Sequence, residues 1–123
     1  MRIFLFITGV IFVIVGLRAL IDPVHAVAEF FGFSVQGVNG MNQLRASAGG
    51  VTLACGAYMI AACFRLKWTY AALAVTALVL GGLVCGRIFS VIADGMPGTI
   101  IVTSFALELF GFVQAVYWLR EHP

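Results

Sequence analysis

Ionisable side chains inside long apolar runs are the residues of this sequence best placed to do chemistry. Arg87 stands in Gly86-Arg87-Ile88-Phe89-Ser90, and Glu108 lies between Leu107 and Leu109. By insertion scales a charged group at the centre of a lipid-crossing helix costs about 2.5–3.5 kcal/mol, so such residues face protein or water and find partners. Arg87 precedes Asp94 by seven residues, and Glu108 follows Thr99 by nine. At about 1.5 Å per helical residue these spacings correspond to depths of about 10 Å and about 13 Å. The similar depths predict a contact between the two. Arg18 and Asp22, four apart, are spaced to pair along one helix face, and Arg45 follows Asn39, Asn42 and Gln43 at the start of another helix. Arg18, Asp22, Asn42, Arg45, Arg87, Asp94 and Glu108 therefore form a candidate polar set in the outer half of the membrane. Two roles compete for it. One is a buried ion-pair and hydrogen-bond network that fixes helix order, with Arg18 and Arg45 snorkelling to the headgroups. The other is a pocket whose arginines hold an anionic or carbonyl-bearing ligand or a lipid headgroup, with Glu108 as counter-ion or proton carrier.

Other chemistries lack their residues. His25 and His122 are expected on opposite sides of the membrane, too far apart for a histidine-based haem or metal site. Cys55, Cys63 and Cys85 lie in apolar stretches without a Cys-x-x-Cys pair and read as packing residues. There is no phosphate-binding loop and no Gly-x-Ser-x-Gly elbow. Accordingly no metal, cofactor or catalytic residue is assigned. Thr8, Thr76 and Thr103 are expected to bond to their own helix carbonyls. A net charge of +2 over seven basic and five acidic residues forms no basic stripe, which excludes nucleic acid as a partner.

The elements that must carry these residues follow from composition. Hydrophobic residues fill 63% of 123 positions and charged residues 10%, against roughly 45–50% and roughly 25% in a soluble domain. Lipid is the solvent that accommodates the difference. Four stretches approach the roughly 20 apolar residues a spanning helix needs. They run over about 3–21, 44–64, 68–93 and 99–119 of a single domain, 1–123. Asp22-Pro23 closes the first, Arg65-Leu66-Lys67 links the second and third, and Asp94-Gly95-Met96-Pro97-Gly98 forms the last turn. Between the first two spans, Phe30, Phe31 and Phe33 around Glu29 predict a short interfacial helix followed by a flexible Gly37–Gly40 turn. The fold class is thus an all-α, up-down four-helix membrane bundle. Ala46, Gly50 and Ala54 on the second span, and Gly82, Gly86 and Ser90 on the third, recur every four residues and form two candidate packing faces. Arg2, Arg65, Lys67 and Arg120 flank the spans on one side, which by the positive-inside rule places both termini in the cytoplasm. A cleavable signal over 1–28 is the weaker reading, because Arg18 and Asp22 interrupt the approach to Ala26-Val27-Ala28.

Asn42-Gln43-Leu44-Arg45-Ala46, Gly86-Arg87-Ile88-Phe89-Ser90, Asp94-Gly95-Met96-Pro97 and Glu108-Leu109 together resemble a bacterial four-helix membrane family of unknown function, distantly similar to DoxX-like proteins. The resemblance implies the four-helix fold, the bacterial inner membrane and a role for Arg45, Arg87, Asp94 and Glu108, but no reaction. Few polar groups and two small-residue faces favour a non-catalytic accessory subunit or assembly factor, bound to lipid and to a membrane-protein partner or to copies of itself. The alternative is a small-molecule or lipid binder or transporter using the polar set. A membrane enzyme with Glu108 as acid or base is the third reading.

Overall fold

A computed structural model describes residues 1–121. The fold is all-α, with no strand among the described residues, because in lipid each backbone N–H and C=O must be satisfied within its own segment. The helices are α1 (Arg2–Ile21), α2 (Glu29–Phe31), α3 (Gly37–Leu44), α4 (Thr52–Phe64), α5 (Leu66–Asp94) and α6 (Thr99–Glu121). A π-helical stretch, Arg45–Val51, joins α3 to α4 without a break, so that Gly37–Phe64 is one helix of 28 residues. With α1, α5 and α6 it makes four helices among the described residues that are long and apolar enough to cross a membrane. The protein is a multi-pass membrane protein.

Two boundaries differ from expectation. The Gly37–Gly40 segment is the first turn of the second spanning helix rather than a flexible turn. Gly37 takes φ +70°, which a side chain would strain, and the helix begins there. The basic link shrinks to Arg65 alone, extended at φ −128°, with Leu66 and Lys67 already inside α5. In both places the helix is extended because it satisfies backbone groups near lipid that a loop would leave open.

The chain forms two compact helical hairpins. In the first, over 2–65, α1 and the Gly37–Phe64 helix run antiparallel. Gly9 faces Gly56, and Gly16 faces Gly49 and Leu53, so closely that a Cβ on Gly16 would stand 2.6 Å from the Leu53 backbone nitrogen. Leu5, Ala19, Met59 and Ala62 are fully buried. The connection holds one π-helical turn, Val24–Ala28, and then α2, stopped by Gly32 at φ +82°. Phe30, Phe31 and Phe33 are exposed there, as an interfacial segment requires.

In the second hairpin, over 66–121, α5 and α6 run antiparallel from the turn at Gly95, whose φ of +95° ends α5. Side chains here pack into glycine notches: Phe112 against Gly81 and Leu80 against Gly111. Thr76 is buried and donates to the Ala72 carbonyl at 2.8 Å, and Thr103 donates to Thr99 at 2.9 Å. Thr8 makes no such bond among the described residues.

The predicted packing faces are not the ones used within the hairpins. Ala46 and Ala54 are exposed, and a Cβ on Gly50 would meet only the Arg45 carbonyl, at 3.7 Å. Gly82, Gly86 and Ser90 are exposed as well, with nothing within 4 Å of a Cβ on either glycine. Glycines seven apart do the work instead in the first hairpin, Gly9 with Gly16 and Gly49 with Gly56. A spacing of seven returns to nearly the same face of a helix.

Candidate functional site

The antiparallel register of α5 and α6 decides where their charged residues meet. The contacts of Leu80 with Gly111 and of Gly81 with Phe112 bring Arg87 level with Glu108. Arg87 Nε donates to Glu108 Oε2 at 2.6 Å, and Nη2 donates to Oε1 at 2.8 Å. This is the parallel two-bond geometry in which a guanidinium binds a carboxylate most firmly. The two side chains are 23% and 14% exposed, so the pair is screened from its surroundings but not sealed. Arg87 Nη1 has no protein partner among the described residues.

A groove of about 460 Å³ opens beside this pair. Gly82, Gly86 and Ser90, each roughly one turn from the next, line it along α5, with Arg87, Leu83 and Val91 beside them. Pro97 and Ile101 close its other side across the turn. The volume lies within the range of about 300–1,000 Å³ typical of ligand clefts. Its lining is apolar apart from Arg87 and the Ser90 hydroxyl. Ser90 makes no hydrogen bond among the described residues. The absence of side chains at Gly82 and Gly86 is what keeps the groove open. Sequence spacing had marked these glycines as packing residues; that Pro97, Leu83 and Ile101 share the groove with them could not be read from it.

The remaining members of the polar set are placed separately. Asp22 does not pair with Arg18, contrary to the spacing of four. Its carboxylate accepts from the His25 backbone N–H at 3.3 Å and contacts His25 Nδ1 at 2.7 Å. The reason is positional. α1 ends at Ile21, so Asp22 lies past the helix and turns toward the unpaired donors of the next turn, which Pro23 opens. The His25 backbone bond does most to hold the Asp22 carboxyl below the usual carboxylate range. Desolvation opposes it, and the His25 side chain and the Arg45 charge assist. His25 also approaches Glu29, at 3.8 Å. Arg18, Arg45, Asn42 and Asp94 are exposed and form no ion pair among the described residues. His25 is the polar residue the spacing argument passed over, although Asp-Pro-x-His carries the capping signal. His122 lies outside the described residues.

Comparison with known proteins gives one positive finding: residues 1–119 match a family model described as Domain of unknown function (DUF4345). No curated protein and no solved structure matches the chain.

Proposed function

Since the chain belongs to the DUF4345 family over nearly its whole length, and that membership assigns no activity, we propose that the protein is a non-catalytic binder of a membrane amphiphile, held in the groove beside the Arg87–Glu108 pair. One observation carries this reading: Arg87, held by Glu108 in the apolar part of a hairpin, also lines an open groove. The pair fixes the guanidinium, and the groove offers a largely apolar space of about 460 Å³ along α5. On this reading the protein lies in the bacterial inner membrane with both termini cytoplasmic, and its likeness to DoxX-like proteins is one of distant kinship.

The accessory-subunit reading has its own support. Ala46, Ala54, Gly82 and Gly86 are exposed within their hairpins, and small exposed residues admit the close approach of another helix. Native mass spectrometry from mild detergent separates the two. The binder reading expects a reproducible small molecule on the isolated chain, lost when Gly86→Leu fills the groove. A discrete co-purifying protein without a small ligand overturns it in favour of the accessory subunit.

A further inference from the structure

We infer, resting on the binder reading above, that the groove selects a neutral carbonyl acceptor on an acyl chain, namely the ester of a glycerolipid, and not an anionic headgroup. Charge decides this first. Both Glu108 oxygens already engage Arg87, through Nε and Nη2, so the pair is neutral as a unit. An anion entering the groove would meet only Arg87 of the pair, a guanidinium whose charge Glu108 already offsets through two bonds, in a medium where that residual attraction would have to repay the anion's own desolvation. What remains on offer is hydrogen-bond donation without net charge. Arg87 Nη1 still carries its protons, and the Ser90 hydroxyl has no partner among the described residues. A donor left unpaired in apolar surroundings is costly, and a carbonyl oxygen satisfies it without introducing a charge.

Position decides the rest. Arg87 and Ser90 lie one turn apart near the Asp94 end of α5, about 10 Å and about 6 Å from it along the helix. Gly82 and Gly86 continue the groove toward the middle of α5. An ester at Arg87 and Ser90 therefore leaves its acyl chain lying over Gly86 and Gly82, against Leu83, with its headgroup directed toward Pro97 and the turn. A free anion has no use for that apolar extension.

The test uses delipidated full-length protein in mild detergent, titrated by native mass spectrometry with three lipids of equal chain length: diester phosphatidylcholine, diether phosphatidylcholine and diester phosphatidylglycerol. The two diesters should bind alike and about tenfold more tightly than the diether, the difference expected of one hydrogen bond. The double variant Arg87→Met/Glu108→Leu, with its helix content checked by circular dichroism, should lose most of the preference for diester over diether, Ser90 alone remaining as donor. Gly86→Leu should lose all three. If diether and diester bind equally to the wild type, or phosphatidylglycerol binds about tenfold more tightly than phosphatidylcholine, the carbonyl inference fails while the binder reading stands. If no lipid saturates the wild type, or Gly86→Leu binds as the wild type does, the binder reading itself fails.

Discussion

Replacing Glu108 by Gln should destabilise the second hairpin by about 2–4 kcal/mol. Breaking one side of a buried ion pair costs about 3–5 kcal/mol, because the surviving charge loses its partner in a medium that solvates it poorly. Exposures of 23% and 14% let the surroundings recover part of this, and Gln retains one acceptor for the fork at 2.6 and 2.8 Å. Arg87→Met should cost less, since a guanidinium cannot shed its charge whereas a carboxylate can take up a proton. The double variant Arg87→Met/Glu108→Leu removes both charges and should lie within about 1 kcal/mol of the wild type, because apolar replacements of a buried pair are commonly neutral. The coupling energy, the summed single costs less the cost of the double variant, would then be about 2–5 kcal/mol. Reversible unfolding in mixed micelles, followed by circular dichroism for the wild type, Arg87→Met, Glu108→Leu and the double variant that combines these two substitutions, measures it. A double-variant cost equal to the sum of the single costs within about 0.5 kcal/mol would refute the pair as an energetic unit.

Gly16→Ala and Gly56→Ala should each destabilise the first hairpin by about 1–3 kcal/mol. The new Cβ meets backbone at 2.6 Å in one case and at 2.7 Å in the other, and backbone cannot rotate away. Gly82→Ala, with nothing within 4 Å, should leave stability unchanged or raised in the same unfolding assay. Acidification should release the contact at Asp22. A carboxyl held below its ordinary value of 3.8 stabilises fully above that pH and loses its contribution as pH falls through its folded-state value. The stability difference between wild type and Asp22→Asn should therefore be constant above about pH 4 and shrink below it; a difference that grows on acidification would reverse the assignment. A reporter fused after Pro123 should behave as cytoplasmic and one inserted at Gly37 as external, and the opposite outcome at either site would overturn the orientation.

The helices and their stops were legible because they answer to a fixed thickness of hydrocarbon and to local chemistry: Pro23 and Gly95 punctuate whatever surrounds them. The Arg87–Glu108 contact was legible for a related reason. Depth can be counted from the Asp94 to Thr99 turn, and two opposite charges at similar depth on adjoining helices have few other ways to be satisfied. The faces that pack within each hairpin were not legible. A spacing of four identifies which small residues share a face but not which face meets a neighbour, and the π-helical stretch Arg45–Val51 breaks the phase on which the count from Ala46 to Ala54 depends. Asp22 was misassigned because a spacing of four does not count donors beyond the helix end: the Asp22 N–H still bonds the Arg18 carbonyl at 2.9 Å, but its carboxylate turns to the His25 backbone N–H and Nδ1.

The glycine contacts of the first hairpin bear on how the chain is made. Gly9, Gly16, Gly49 and Gly56 all lie within the first 56 residues, and no later part of the chain is needed for their mutual approach. Synthesis proceeds from the N-terminus, and helices already inserted in lipid associate by packing alone. The first two helices can therefore lock together in the membrane while Arg87 and Glu108 have yet to leave the ribosome, so the charged pair is delivered to a bilayer in which half of the protein is already assembled. A defect at Gly16 or Gly56 would accordingly be felt early, as a failure of biogenesis, whereas one at Glu108 would be felt only by the completed chain.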